Sequence, residues 1–280
     1  MSENKELLLR AKDISIVFGG LRAVSDFDLE LYQGELIGLI GPNGAGKTTV
    51  FNMLSGIYKP TSGTITFVGR DGNIQVVSGK SPAQLNRIGI ARTFQNIRLF
   101  GHLTAAENIK IALHQTRTVT PIDVLLRTKK FRNDEKIMQE KTELLLSIFH
   151  LDSKKNELAH NLPYGEQRKL EICRALASNP KLLLLDEHTA ALDPKTAHKV
   201  LELTQHFVER DHLTTFMVTH NMKHAIHYGN RLIMMLDGHI VYDVSGEEKK
   251  NLQVADLLQK FQTASGGDTD SISDRMILSQ

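Results

Sequence analysis

The chain has 280 residues, of which 41% are hydrophobic and 24% are charged, with a formal net charge of +2 at pH 7. This length allows one large or two small domains with a sizeable apolar core, and so small a charge argues against a nucleic-acid surface. The single cysteine, Cys173, excludes an intramolecular disulfide and favours a cytosolic setting. No apolar run approaches the roughly 20 residues that span a bilayer, and no secretory signal is visible, so we expect any membrane role to depend on a partner.

The N-terminal part of the chain predicts strands. "LLLRAKDISIVFGG" indicates a strand and a glycine turn, and "SDFDLELYQGE" alternates so that Phe27, Leu29 and Leu31 share one face of an antiparallel strand. "ELIGLIG" is a continuous apolar run typical of a strand covered on both faces, and a glycine loop and a helix follow it. "TSGTITFVG" predicts another strand, and the segment up to about Ser81 is rich in turn residues.

Helical spacing dominates from about Asn96 to Ser178, as in "EKIMQEKTELLLSIFHL". The basic run "RTKKFR" within it is interpreted as a solvated helix face rather than a ligand site, and Cys173 lies on an apolar helix face. "LPYGEQRKLEI" predicts a turn built on Gly165 followed by a charged helix start.

Strands and helices alternate again from Lys181, which implies a mainly parallel sheet. "KLLLLDE" and "TTFMVTH" predict buried strands, and "PKTAHKVLELTQHFVERD" predicts a helix. "RLIMMLDGHIVYDV" predicts a hairpin around Asp237-Gly238. We therefore predict an α/β core with an antiparallel β subdomain in residues 1–95 and 179–250, a helical insertion in 96–178, and a C-terminal helix with a loose tail in 251–280.

"GPNGAGKTT" satisfies the G-x-x-x-x-G-K-[ST] spacing of a phosphate-binding loop between a predicted strand and a predicted helix. Glycines let backbone N–H groups turn toward phosphate oxygens, and the helix N-terminus adds partial positive charge. Lys47 is placed to reach the β- and γ-phosphates and Thr48 to bind Mg²⁺. The predicted nucleotide-binding residues of the loop are Gly41, Pro42, Asn43, Gly44, Ala45, Gly46, Lys47, Thr48 and Thr49.

"LLLLDE" supplies a second set of groups. A buried strand delivers Asp186 beside the loop, where its carboxylate can hold Mg²⁺, and Glu187 is placed to polarise the water that attacks the γ-phosphate. These two motifs fit many nucleotide hydrolases. A GTPase would require a guanine-reading Asn-Lys-x-Asp and an adenylate-type kinase a lid, and the sequence shows neither.

Taken in order, these motifs and those between them resemble the nucleotide-binding subunit of an ATP-binding-cassette (ABC) transporter, a P-loop NTPase of ABC type, over nearly the whole chain. The resemblance implies that Phe18 stacks on adenine and that Gln95 contacts Mg²⁺ and the attacking water. It implies that His220 contacts the γ-phosphate. Signature residues Tyr164, Gly165 and Glu166, and Asp193 of "ALDP", would act across a dimer interface.

The family works as a head-to-tail pair that sandwiches two ATP molecules, and closure of the pair drives transport. The resemblance thus implies ATP and Mg²⁺ as cofactors, and a homodimer or a heterodimer with a paralogous ATPase. It further implies transmembrane permease subunits, indirectly an extracytoplasmic solute-binding protein, no nucleic acid, and a cytoplasmic location peripheral to the inner face of the membrane.

Residues up to about Ser178 are most similar to ATPases of branched-chain amino-acid uptake, in which proline or alanine commonly precedes Tyr-Gly in the family signature, as Pro163 does here. From about Lys181, "LLLLDEHTAALDPKT" with His188 is more similar to tryptophan/tyrosine-type uptake ATPases. A natural subfamily, a recombinant and an engineered hybrid all remain open. The alternative functions are a soluble, non-transport ABC ATPase and a non-hydrolysing module; the presence of Glu187, Gln95 and His220 argues against the latter.

Overall fold

The computed structural model describes residues 6–116, 119–186 and 194–265. The described residues form two compact units. The first is drawn from Met1–Arg92, Lys181–Ala190 and Thr204–Gln280, and the second from Thr93–Pro180 and Ala191–Leu203. In the described ranges, no helix is long and apolar enough to cross a membrane.

The described strands number ten, and their bounds are β1 (Leu7–Phe18), β2 (Leu21–Tyr32), β3 (Leu36–Ile40), β4 (Ser62–Val68), β5 (Ile74–Val76), β6 (Ile90–Arg92), β7 (Leu182–Asp186), β8 (Thr214–Val218), β9 (Arg231–Leu236) and β10 (His239–Ser245). The α-helices are α1 (Lys47–Leu54), α2 (Pro82–Ile88), α3 (Ala105–Leu113), α4 (Pro121–Leu125), α5 (Lys129–Ile148), α6 (Tyr164–Ala177), α7 (Pro194–Asp211), α8 (Met222–His227), α9 (Gly246–Lys250) and α10 (Val254–Ala264).

The first unit contains two sheets. One has the order β10-β9-β3-β8-β7-β6; its neighbouring strands are parallel except for the β9–β10 hairpin. The other has the order β2-β1-β4-β5 and is antiparallel throughout. This architecture confirms the predicted fold class, a mainly parallel core sheet with an antiparallel β subdomain.

The strands at the centre of the parallel sheet are buried along their whole length, as their continuous apolar runs predict. Every residue of β3, β7 and β8 is buried. One apolar cluster joins both sheets through α1, including Phe51 of that helix and Phe27 of β2. Since β3 and α1 flank the glycine loop, this core fixes both ends of the phosphate-binding motif.

The second unit is helical in its described residues, which confirms the helical insertion. Helices α3 and α4 each begin with a capping box, Thr104 with Glu107 and Thr120 with Asp123. Helix α6 lies in the interior, and its Cys173 is fully buried with its Sγ 3.8 Å from the carbonyl oxygen of Leu145.

The predicted turn at Gly165 is wrong. Helix α6 already begins at Tyr164, so Gly165 is part of its first turn. Pro163 is the N-cap, with extended backbone (φ −54°, ψ 150°) that brings the chain into the helix. Its side chain has no oxygen that could accept a hydrogen bond from the first turn, and its carbonyl accepts from the N–H groups of Glu166 and Gln167 instead.

Candidate functional site

The glycine loop runs from the end of β3 to the start of α1 and is confined by its neighbours. At Gly41, a β-carbon would collide with the carbonyl oxygen of Met235 on the adjacent strand. Gly46 is the N-cap of α1 with φ +91°, a conformation that favours glycine, and a side chain there would press on the carbonyl of Ala23. The glycines are therefore required by close backbone contacts as well as by the turn.

The N-terminus of α1 opens into a cavity of about 390 Å³. Gly46 offers no side-chain oxygen to the N–H groups of the first helical turn, and no acidic residue lies there, so the positive end of the helix dipole is uncompensated by its own side chains. The cavity is lined by residues of the glycine loop, the start of β2 and two residues from elsewhere in the same unit: Asn43, Gly44, Ala45, Gly46, Lys47, Thr48 and Thr49, Leu21, Arg22 and Ala23, and His220 and Asp237. Such a cavity suits an anion.

Lys47 is buried, and its ammonium donates to the carbonyl oxygens of Gly41 at 2.7 Å and Pro42 at 2.9 Å. These bonds hold the cation inside the curve of the loop. Thr48, the next residue, is exposed in the same cavity. The loop thus combines a fixed cation, backbone donors and a hydroxyl group.

His220 reaches this cavity because β8 ends beside β3. Its two chain neighbours are held locally: Asn221 N–H donates to the hydroxyl oxygen of Thr219 at 3.1 Å, and the Asn221 side chain accepts from His224 N–H at 3.0 Å as the cap of α8. The imidazole is partly buried. The sequence-predicted loop and His220 are therefore brought together in one cavity.

Asp186 ends β7, paired in register with Val218 of β8, and is buried. Its Oδ2 lies 3.2 Å from the guanidinium of Arg92, which also donates to Asn52 at 3.0 Å and to Ser55 at 2.6 Å. Arg92 was not predicted from the sequence as a site residue. A cation at the end of a short apolar segment, "IGIAR", is the signal that could have identified it.

Phe18 ends β1, is 42% exposed, and packs edge-on against Tyr58 with 5.2 Å between the ring centroids. Neither Phe18 nor Asp186 lines the described cavity, which on the β1–β2 side begins at Leu21. Phe18 and Tyr58 together form an exposed aromatic pair, and Tyr58 was not predicted.

In the second unit, α6 holds the segment that carries Gln95. Arg168 and Glu171 form an ion pair on α6 that is about 1% exposed. Arg168 also donates to the carbonyl of Phe94, and Glu171 Oε1 accepts from the N–H groups of Phe94 and Arg98, both at 3.3 Å. Gln95 itself is exposed. The helix that starts with Tyr164, Gly165 and Glu166 thus fixes both sides of Gln95.

The remaining predicted residues are distributed as follows. Tyr164 is half-exposed, and Oε2 of Glu166 is buried with no hydrogen-bond partner among the described residues. Glu187, His188 and Asp193 lie outside the described residues. Within the described ranges, His, Cys, Asp and Glu side chains form no cluster of three or more that could hold a metal ion by themselves.

The sequence matches the family model described as "ABC transporter" over residues 24–190. The chain belongs to the ABC transporter family. It is 38% identical to the high-affinity branched-chain amino acid transport ATP-binding protein LivG of Escherichia coli (strain K12) over 244 residues, which cover 87% of this chain and 94% of LivG. It is 37% identical to the tyrosine transport ATP-binding protein of Clostridioides difficile (strain R20291) over 246 residues, covering 85% and 90%.

Solved structures agree with this assignment. The ADP conformation of MJ1267, an ATP-binding cassette of an ABC transporter, superposes with a TM-score of 0.74 at 28% identity, covering 91% of this chain and 98% of that one. The dimeric post-hydrolysis state of the cassette MJ0796 bound to ADP and Pi gives 0.69 at 26% identity, covering 85% and 98%. The chain is an ATPase that binds ATP.

Proposed function

We propose that this chain is the ATP-hydrolysing subunit of an amino-acid importer, with branched-chain amino acids as the favoured solutes. The observation that carries the proposal is the cavity in which Lys47, the N-terminus of α1 and His220 converge. The similarity to LivG over 94% of that protein's length supports the solute class.

In this proposal, ATP phosphates lie against the loop, where residues 41–49 supply backbone donors and Lys47 neutralises phosphate charge. The ammonium of Lys47 would exchange a carbonyl acceptor for a phosphate oxygen of higher charge, which strengthens the bond. Adenine would stack on Phe18, whose ring is exposed beside Tyr58.

The donor chemistry fits Mg²⁺, which takes oxygen ligands, keeps several waters and commonly binds through one or two carboxylates plus substrate phosphates. In the proposal, Thr48, Asp186 and Gln95 would supply a hydroxyl, a carboxylate and an amide oxygen. Bound there, the ion would offset charge on the phosphate oxygens. Arg92 holds the buried Asp186 carboxylate in place.

Three residues are proposed to act on the reacting groups. Glu187 accepts a proton from the attacking water as general base, Gln95 orients that water, and His220 donates a hydrogen bond to the γ-phosphate. Arg168 and Glu171 position the backbone on both sides of Gln95.

A second ATPase subunit would complete each site, as a homodimer or a heterodimer with a paralogue. Its Tyr164, Gly165, Glu166 and Asp193 would contact nucleotide held by the first. Glu166 lies in the first turn of α6, where the helix dipole favours anions such as phosphate. The solved MJ0796 cassette is dimeric, which supports this arrangement. Dimer closure on ATP would drive transport.

Permease subunits in the membrane would hold the chain at the cytoplasmic face, and an extracytoplasmic binding protein would deliver the solute to them. Tyrosine is the second candidate solute, because the tyrosine transport relative is nearly as similar as LivG. Uptake of labelled leucine and tyrosine by vesicles containing this chain, its permease and its binding protein distinguishes the two. Uptake of neither would contradict an amino-acid importer.

The catalytic proposal is tested by two substitutions. Glu187→Gln should bind ATP with unchanged affinity, lose turnover by about 10²–10⁴-fold and accumulate as an ATP-bound dimer. Lys47→Ala should weaken ATP binding in calorimetry, whereas Lys59→Ala, which changes an exposed lysine of the same unit, should not. Undiminished ATP hydrolysis in Glu187→Gln would contradict the general-base role of Glu187. Unchanged ATP affinity in Lys47→Ala would contradict the phosphate-binding role of Lys47.

A further inference from the structure

Helix α4 presents an apolar face to solvent. Ile122, Leu125 and Leu126 follow the i, i+3, i+4 spacing of one helix face and are 67%, 82% and 68% exposed. A single exposed leucine is ordinary in a folded protein, but three large aliphatic side chains adjoining on one turn mark an interaction surface.

Cations follow this face directly. Arg127, Lys129, Lys130 and Arg132 all lie within six residues of Leu126, and all are exposed. Three of them fall in the first turn of α5, where there is no acidic residue and where the helix dipole disfavours positive charge. Helix stability therefore does not explain this choice of residues.

The nearest carboxylate, that of Asp123, is held by local hydrogen bonds. Asp123 accepts hydrogen bonds from the backbone and hydroxyl of Thr120 at 2.9 and 2.8 Å and from the hydroxyl of Thr128 at 3.0 Å. Those bonds lower its pKa, so it stays ionised as a cap for both helices. Asp134 and Glu135, further along α5, are partly buried. The exposed side chains next to the apolar face are thus predominantly cationic.

We propose that this α4 surface, formed by Ile122, Leu125 and Leu126 with Arg127, Lys129, Lys130 and Arg132, docks on the headgroup region of an anionic lipid bilayer. The aliphatic side chains would enter the boundary between headgroups and acyl chains, and the cations would pair with lipid phosphates. This goes beyond the proposed transport role, because the contact is made by the chain itself and requires no permease.

Charge complementarity favours lipid over a protein groove as the occupant. Flexible lysine and arginine side chains around an apolar turn match a fluid surface of phosphate groups, to which each cation adds affinity. The apolar area is small, so the contact is expected to be weak and reversible and to reinforce attachment through a permease rather than replace it.

The test is flotation of the full-length chain with vesicles of equal parts phosphatidylglycerol and phosphatidylcholine, or of phosphatidylcholine alone. The wild-type chain should bind the anionic vesicles, bind neutral ones much less, and be released by salt. Lys129→Ser with Lys130→Ser should weaken binding by at least about tenfold, given the gain per cation near an anionic surface. Leu125→Ser with Leu126→Ser should weaken it by a similar factor.

Matched controls lie further along α5. Leu144→Ser removes another exposed leucine, and Lys141→Ser another exposed lysine, and neither should alter flotation. Basal ATP hydrolysis and circular dichroism confirm that each variant is folded. If the variant with both Leu125→Ser and Leu126→Ser does not fold, the single substitution Leu125→Ser replaces it in the test.

Three outcomes would overturn the proposal. One is equal binding to neutral and anionic vesicles, another is flotation unaffected by either double substitution, and the third is no vesicle binding by the wild-type chain. If the variants float like wild type but fail to assemble with detergent-solubilised permease, the α4 surface is a protein contact instead. None of these results bears on the ATPase proposal, which rests on nucleotide binding and turnover.

Discussion

Replacing Glu171 by glutamine removes one charge from an ion pair that is about 1% exposed. The amide oxygen can still accept from the N–H groups of Phe94 and Arg98, but an NH₂ group then faces the guanidinium of Arg168, which carries only donors and cannot accept a hydrogen bond. The substitution therefore keeps the shape of the side chain and removes the Glu171 carboxylate from the buried guanidinium of Arg168.

The size of the effect follows from burial. A solvent-exposed pair contributes about 0–1 kcal/mol, whereas removing one partner of a buried pair costs about 3–5 kcal/mol, because the other charge stays buried and uncompensated. The N–H groups of Phe94 and Arg98 would also donate to a neutral amide oxygen in place of a charged carboxylate, which weakens both hydrogen bonds. We expect Glu171→Gln to lower the free energy of unfolding by about 3–5 kcal/mol, a large share of the roughly 5–15 kcal/mol of a typical domain.

Urea unfolding followed by circular dichroism measures this difference, and Lys154–Glu157 provides the control. That pair has the same i, i+3 spacing in the same unit, but its side chains are 37% and 42% exposed, so Glu157→Gln should cost less than about 1 kcal/mol. Replacing both Arg168 and Glu171 by methionine should cost less than Glu171→Gln alone. A loss below about 1 kcal/mol in Glu171→Gln, or an equal loss in Glu157→Gln, would refute the reasoning.

Three further predictions concern stability. Gly229→Ala should lower the free energy of unfolding by at least about 2 kcal/mol more than Gly246→Ala. Both glycines have positive φ, but only at Gly229 would a β-carbon collide with the carbonyl oxygen of Leu36, so equal losses in urea unfolding would contradict the prediction. Pro163→Ser should be about 1 kcal/mol more stable than Pro163→Ala, because a serine hydroxyl can cap the first turn of α6; equal urea midpoints would refute the capping argument. Burial lowers the pKa of Lys249 from an ordinary 10.5 to about 8. Between these two pH values the unfolded chain therefore binds more protons than the folded chain, and the free energy of unfolding should rise with pH more steeply in wild type than in Lys249→Met. Parallel pH profiles in urea unfolding would contradict the Lys249 shift.

The local pattern of apolar residues was sufficient to predict most strands of the parallel sheet. The apolar runs of β3 and β7 are strands because both faces are covered, and the helix predicted from Pro194 to Asp211 has those bounds in the structure. The hairpin turn at Asp237-Gly238 is confirmed, with φ of +47° and +81° at the two residues.

The short strands β5 and β6 were not predicted, since three residues are too few to show a period. The buried ion pair of Arg92 with Asp186 and the hydrogen bond from Phe94 N–H to Glu171 were not predicted either, because the partners lie 94 and 77 residues apart in the sequence. A charged residue in isolation gives no sign that folding will bury it.

For the candidate site, the glycine loop and His220 could be predicted because each motif carries its own chemistry. The contributions of Asp237 and the start of β2 to the cavity could not be predicted, because they depend on how β2 and the β9–β10 hairpin pack beside the glycine loop. The roles of all the predicted site residues, including Glu187 and Asp193, stay predictions.

Cys173 has a practical consequence for experiments on this subunit. Its thiol is fully buried on α6, and burial raises its pKa well above the usual value, so it is expected to be inert to alkylating reagents in the folded state. Because it is the only cysteine, a cysteine introduced at the surface would be the single labelling position. Spin labels or fluorophores could then test the proposed approach of two copies of this chain during nucleotide turnover, without first removing native thiols.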